Sequence, residues 1–373
     1  MIRKFRYLGI RKQLLLICCI LIIAITLTIG IGVFDSASRH MSEMMKLSLL
    51  EVTVKNSQLM DARLGQLAQY AVGAVLDKDL NQLLRNSCQV KTNYELYSLD
   101  KKISEIIKKY FQFYSDVYSV YIVTSNYVFG NNNDMRDYIP LDTFESSIIY
   151  HKANDTPQNL IWIPTYHFAD MFNQPFLKNY KFPYSELFSA AKVIPLSSAS
   201  PQSKIKEPVL LINLSYSFFE DILSGSSQPK NVYYFIITPE GRMVAHSDES
   251  LVGSFVKAPW LDILKENSSG YITVNINGEN TVVCFEQSKV TGWITATAIQ
   301  ENLITLEIIK DFSKNLIGIL ISLMLCSFIV FYFATNHITR PIEKLKVAIR
   351  QVGHGNFDIH IPEEEASEFR DLI

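Results

Sequence analysis

The 373-residue sequence predicts an α+β chain in which two transmembrane helices flank a tandem, two-module ectodomain entered by a long helix, with a truncated helical segment after the second span. Three observations predict it. Two long apolar runs carry no charge, one apolar stripe repeats at helical spacing without a proline, and two successive stretches repeat the order strand, turn, strand, helix, three strands. Composition agrees: with 48% hydrophobic and 19% charged residues and a mean hydropathy of +0.11, the chain is too apolar to be disordered and less charged than an ordinary soluble protein. The formal net charge of −2 lacks the basic excess of a nucleic-acid-binding domain, so no direct nucleic-acid partner is expected.

The first apolar run, Leu14 to Phe34, follows residues 1–13, which are expected to form a cytoplasmic N-terminus. As a helix it measures about 31 Å, against about 30 Å of bilayer hydrocarbon. A cleaved signal peptide has an apolar core of only about 7–15 residues, so an uncleaved anchor is expected. The second run, Leu316 to Ala334, ends in Phe331, Tyr332 and Phe333, which suit the headgroup boundary. Arg3, Lys4, Arg6, Arg11 and Lys12 precede the first run, and Arg340, Lys344, Lys346 and Arg350 follow the second. Basic residues are retained on the cytoplasmic side, so the chain is expected to pass the cell membrane twice with both termini inside and residues 35–315 outside.

The ectodomain begins with a helical stripe of Leu47, Leu50, Val54, Met60, Leu64, Leu67, Ala71 and Val75, ending near Asp77-Lys78-Asp79. The spacing suits either a dimer seam or packing on the chain's own core. A second helix is predicted over Leu96–Tyr110. Strands follow at Val117–Val123, Tyr127–Phe129, Leu160–Tyr166, Glu186–Ile194 and Pro208–Leu214, with a helix over Leu141–His151. The order then recurs: Asn231–Thr238 and Arg242–His246 around the turn Pro239-Glu240-Gly241, a helix over Ala258–Glu266, and strands Gly270–Ile276, Thr281–Gln287 and Gly292–Ile299. Asn277-Gly278 is a hairpin signal. The distal module spans about 80–225 and the proximal one about 226–300.

This tandem order, with YYFIITPEGRMVAHSDESLVGSF from Tyr233 to Phe255 and TGWITATAIQENLI from Thr291 to Ile304, resembles the extracytoplasmic double Cache sensor, two stacked PAS-like modules. Residues 335–373 resemble a HAMP coupler. An apolar stripe of Ile338, Pro341, Ile342, Leu345, Ala348 and Val352 keeps proline in the first turn, where its missing amide costs nothing. Gly353 and Gly355 stop that helix. The HAMP resemblance gives Pro341, Gly355 and Glu368 coupling roles, and because the sequence reaches only Ile373, the second HAMP helix is expected to be partial. Together these parts resemble the input half of a bacterial YesM-like sensor histidine kinase. The resemblance implies a homodimer in the bilayer, a small extracellular ligand and, only where a kinase domain follows, a cytoplasmic response regulator. Two alternatives stand beside it: a kinase-less ligand-binding or regulatory membrane protein, and the input half of a chemoreceptor or cyclic-dinucleotide enzyme.

No Walker A loop, Gly-x-Ser-x-Gly elbow, His-Glu-x-x-His or paired Cys-x-x-Cys occurs, so no catalytic residue, metal or cofactor is expected. The YesM-like resemblance implies that a complete parent protein is a histidine kinase. His246 and Asp248 suit a turn and cap better than an acid–base pair. His354, between glycines, suits a helix end better than a phosphoacceptor. His151, Asp155, His167 and Asp170 match no metal-ligand spacing. Cys88 and Cys284 fall in different modules, and their pairing is not favoured. Tyr121, Tyr150, Trp162 and Tyr166 are the candidate ligand-binding residues of the distal module, since aromatics offer stacking area and polar tips. Amino-acid-sensing relatives carry an arginine followed by Trp-Tyr where Ile149-Tyr150 stands here, which leaves a sugar, a peptide or a partner protein open. The topology predicts that in intact cells a membrane-impermeant maleimide labels a cysteine introduced at Asn277 and not one introduced at Ser367; the reverse pattern inverts the orientation.

Overall fold

The computed structural model describes residues 10–87, 90, 92–130, 135–179, 186–196, 207–224, 232–276 and 278–334, with 346–347, 349–351 and 353–354. Two compact units are distinguished, Met1–Met44 with Ile304–Ile373, and Met45–Leu303.

The first unit contains the start of helix α1 (Ile10–Val75) and most of helix α9 (Glu301–Ala334). The apolar run Leu14–Phe34 is helical throughout. Among the described residues, Ser313–Val330 is the one helical window long and apolar enough to cross a membrane, and none of it is buried. Within this unit α1 and α9 approach closely at Gly30, where an added Cβ would lie 2.7 Å from a Leu316 methyl. Small residues permit such contacts between apolar helices.

In the second unit each module is a five-stranded antiparallel sheet. The distal sheet comprises β1 (Val117–Val123), β2 (Val128–Gly130), β3 (Ile161–His167), β4 (Glu186–Val193) and β5 (Val209–Ser215), ordered β2-β1-β5-β4-β3. The proximal sheet comprises β6 (Val232–Ile237), β7 (Met243–His246), β8 (Ser269–Ile276), β9 (Glu279–Gln287) and β10 (Ile294–Gln300), ordered β7-β6-β10-β9-β8. The same topology thus occurs twice, as the repeated element order predicts. Gly241 makes the β6–β7 turn at φ +95°, where a Cβ would lie 2.3 Å from the Val256 carbonyl oxygen, so glycine is required there.

Helices α2 (Lys78–Ser87) and α3 (Asn93–Phe111) follow α1. Thr92 and Glu95 form a capping box that starts α3. The single helix expected over Leu141–His151 is two, α4 (Leu141–Phe144) and α5 (Ile148–Asp155). The break falls at Ser147, whose hydroxyl accepts the Tyr150 amide at 3.2 Å and caps a new helix. Helices α6 (Phe168–Met171), α7 (Ser217–Ser224) and α8 (Trp260–Glu266) complete the unit. Neither α2 nor α7 was expected from the sequence pattern.

Helix α1 buries Leu49, Thr53, Ser57, Met60, Leu64, Leu67, Ala71 and Ala74 within its own chain, while Leu47 is 52% exposed. The upper half of the expected stripe therefore packs on the core rather than forming a seam. Its lower half is displaced by about one residue, because Thr53 and Ser57 occupy the inward positions. Thr53 donates to the Leu49 carbonyl and meets the Thr297 hydroxyl of β10 at 2.6 Å, satisfying its buried polar group. Asp61 accepts from Ser288 and from the Lys289 amide. Farther along, the Arg63 guanidinium lies over Phe218, and Tyr70 meets Tyr114 edge-on at 5.4 Å. One helix thereby supports both modules.

Cys284 is a buried free thiol whose pKa burial pushes up to about 12, which makes it inert at neutral pH; Cys88 lies outside the described residues. Asp77 caps α2 through the Leu80 amide at 3.0 Å and accepts the Tyr110 hydroxyl at 2.9 Å. Burial acts to raise its carboxyl, but these donors and the Lys109 charge outweigh it and hold the pKa below the ordinary value. Two consequences follow for stability. Leu64→Ala should cost about 2–5 kcal/mol, the range for buried leucine truncations, measured by denaturant unfolding. Asp77→Ala should cost about 1 kcal/mol at neutral pH. Because the folded pKa is depressed, that difference should be complete above the unfolded value of about 3.9 and vanish as pH falls through the folded value; thermal melts of the two proteins should converge on acidification.

Candidate functional site

The inner face of the distal sheet lies beneath α4–α6. Tyr121, Leu211, Ala191 and Ile161 stand in one cross-strand row of this face. Ser119, Asn213, Ser189 and Ile163 stand in the next row of the same face, two residues along each strand. Phe144, Ile149, Ala153, Phe168 and Phe172 close over it. Phe144 stacks on Phe172 at 6.3 Å and meets Tyr150 edge-on at 6.0 Å.

Across this apolar face runs a buried polar chain. The Asn213 amide donates to Ser119 Oγ at 2.9 Å, while its carbonyl oxygen accepts from Ser189 Oγ at 2.8 Å and from the Tyr166 hydroxyl at 3.3 Å. Tyr166 and Ser189 share a further bond of 2.7 Å. Burial pushes the Tyr166 phenol well above its ordinary pKa, so it stays neutral and can donate. Hydrogen bonds in so dry a setting are strong, and each broken one is costly.

Three of the four predicted ligand residues share this face: Tyr121 and Tyr166 belong to its core and Tyr150 packs partly buried against it. Trp162 does not. It pairs with Ala190, which pairs with Ile212, which pairs with Val120, and this row points to the opposite face of the sheet because alternate strand residues face opposite ways. Tyr121 lies against Gly130, its cross-strand partner on β2, where an added Cβ would come within 2.5 Å of the Tyr121 ring. The sequence reading missed Ser119, Ser189 and Asn213. The available signal was a lone polar residue in an otherwise apolar run, as Asn213 within Val209–Leu214.

The other candidates have structural roles or fall elsewhere. His246 Nδ1 accepts the Asp248 amide at 2.8 Å, and Asp248 accepts the Ser250 amide at 3.1 Å, so the pair builds a turn. The His354 amide donates to Gln351 within a turn. Among the described residues no group of three or more His, Cys, Asp or Glu is placed to hold a metal. Pro341, Gly355 and Glu368 lie outside the described residues. On the rear of the distal module, Asp100 on α3 pairs with Arg136 at 2.6 Å and accepts the Gly130 amide, anchoring β2.

Residues 333–373 match the HAMP domain family. The methyl-accepting chemotaxis protein TlpA of Bacillus subtilis is 24% identical over 177 residues, which cover 47% of this chain and 26% of TlpA. McpA of the same organism is 23% identical over 194 residues, covering 51% of this chain and 28% of McpA. The chain thus spans about a quarter of the length of the curated relatives it matches. Among solved structures, the sensory domain of the Campylobacter jejuni chemoreceptor Tlp3 with isoleucine bound matches at a TM-score of 0.47 and 15% identity, covering 72% of this chain and 97% of that one. The ligand-binding domain of the Pseudomonas fluorescens chemoreceptor CtaA with L-isoleucine gives 0.47 and 14%, covering 72% and 96%. The chain thus carries a HAMP match over residues 333–373 and is similar over about half its length to two methyl-accepting chemotaxis proteins.

If Asn213 holds the polar chain together, Asn213→Ala should destabilise by about 1–3 kcal/mol for each partner left unsatisfied, against about 1 kcal/mol for Tyr166→Phe; urea unfolding gives both values. Gly130→Ala should shift the Tyr121 ring, read as a change in near-ultraviolet circular dichroism.

Proposed function

We propose that this chain is the sensory part of a two-pass membrane receptor whose distal module takes a small extracytoplasmic ligand. The observation that carries this reading is the juxtaposition, on one buried face, of a neutral hydrogen-bonding chain with the aromatic residues Tyr121, Tyr150 and Tyr166. A ligand that parts α4–α6 from the sheet would meet apolar surface for affinity and fixed polar groups for orientation. The proposed organisation has spans at 14–34 and 316–334, the sensor domain between them, and the HAMP segment at 335–373 with Pro341, Gly355 and Glu368 in coupling. Strand β10 runs directly into α9, so a displacement of the proximal sheet has a covalent path toward HAMP.

The receptor acts as a homodimer in a bacterial cell membrane. Since Met60, Leu64, Leu67 and Ala71 are spent on the core, exposed apolar positions of α1 such as Met41, Met44, Leu47 and Leu59 are the ones open to a second copy. Two outputs are carried forward. The YesM-like resemblance supports a histidine kinase acting on a response regulator, and the relatives TlpA and McpA support a chemotaxis receptor.

Binding is tested by calorimetry of the full chain in nanodiscs against panels of sugars, amino acids and peptides. A hit should be weakened at least about tenfold, or 1.4 kcal/mol, by Tyr150→Ala, the most accessible of the three tyrosines. Unchanged affinity in that variant and in Tyr121→Phe would place the ligand elsewhere and sink the proposed site. The coding sequence beyond Ile373 separates the outputs, through a phosphoacceptor histidine with an ATP-binding domain or a methylated helical bundle.

A further inference from the structure

The two modules meet at a pair of β-bulges. In β3 the register moves from Ile163↔Ser189 to Tyr166↔Leu187, so Pro164 and Thr165 together face Phe188. In β7 it moves from Ala245↔Ile236 to Met243↔Ile237, leaving Val244 without a ladder partner. A bulge releases backbone groups from their own sheet and re-aims the side chain, and Pro164 has no amide to give. Here the released groups serve the other module. Thr165 Oγ1 donates to the Val244 carbonyl at 2.6 Å, and the Thr165 carbonyl accepts Arg242 Nε at 3.2 Å and a terminal Arg242 nitrogen at 3.0 Å. Thr165 is 1% exposed and Val244 fully buried, so the bond between them lies in a dry joint, with the half-buried Arg242 at its edge. Arg242 is braced from behind by the Phe255 ring at 5.8 Å.

The joint adjoins the candidate site. Tyr166, the residue after Thr165, sends its hydroxyl into the polar chain with Ser189 and Asn213. Phe188, the residue before Ser189, packs 4.4 Å from Phe219 of α7 in its own module and 6.2 Å from Trp293 in the proximal module. The aromatic contact is non-directional and tolerates rotation, whereas the Thr165 bonds are directional and are either made or broken. We infer that the paired bulges are a latch through which the distal polar chain and the proximal module are coupled, with Thr165 and Arg242 as positioning residues that do not touch ligand. The inference rests on the reading of the distal face as the sensor site, but its test requires no ligand.

The test is hydrogen–deuterium exchange on the full chain in nanodiscs. Coupling must be reciprocal, and couplings of this class change equilibria about 5-fold or more. Arg242→Met, a change in the proximal module, should therefore speed exchange in the distal peptides 186–193 and 209–215 by at least about 5-fold. Tyr166→Phe, a distal change, should do the same for 242–256. Leu264→Ala serves as a control: it loosens the proximal core beneath α8 without touching the latch, and its effect should stay within residues 232–300. Should Arg242→Met not fold, Arg242→Lys, which loses the fork but keeps the charge, is read in its place. Effects confined to the mutated module in both directions overturn the latch. Ligand calorimetry is scored separately, so loss of the proposed site and loss of the latch give different results.

Discussion

The two-sheet unit Met45–Leu303 depends on the burial of one face of α1. Met60, Leu64, Leu67 and Ala71 are each 1% exposed or less, and no short helix could reach both modules: the contacts run from Thr53 against Thr297 of the proximal sheet to Tyr70 against Tyr114, just ahead of β1. The proximal sheet leaves one face that α8 does not cover, and α1 supplies the missing layer there. Proximal residues alternate accordingly, with Phe235, Val283, Ala296 and Ala298 toward α8 and Cys284 and Thr297 toward α1. A helix so committed is the shared spine of both modules.

Against that spine the polar groups of the interior are few and specific. The chain from Ser119 through Asn213 and Ser189 to Tyr166 is neutral, so it avoids the desolvation cost of buried charge, and every bond in it constrains the next. Such a network fixes strand register, because a one-residue slip of β4 or β5 would turn Ser189 or Asn213 toward the other face. The same property suits a recognition surface, where donors must stand ready without an entropic cost at the moment of binding. The paired bulges extend this economy to the junction, since carbonyl groups given up by one sheet are satisfied by the other.

Much of this architecture is legible in the chain. Alternating Val, Ile, Tyr and Phe between turn residues placed all ten strands to within a residue or two, and the repeated order of elements anticipated two sheets of identical topology. Stripe positions Met60, Leu64, Leu67 and Ala71 were read correctly because apolar residues at helical spacing have no other cheap place to go. Thr53 and Ser57 escaped the same reading, since a polar residue earns an inward position only when a partner such as Thr297 exists, and that partner lies far along the sequence. Trp162 was grouped with Tyr166 for its chemistry, but the Pro164–Thr165 bulge shifts the parity of β3, and only pairing with β4 reveals it.

Sequence alone determined the apolar runs, the strand order, the duplication and the HAMP-like end, because each is written in local spacing and composition. Tertiary structure decided which tyrosines share a face, that Asn213 is the centre of a buried chain, and that two bulges meet at Thr165 and Val244. Those facts depend on register across strands that are distant in sequence, and hydrogen-bond partners that far apart leave no periodic trace in either segment.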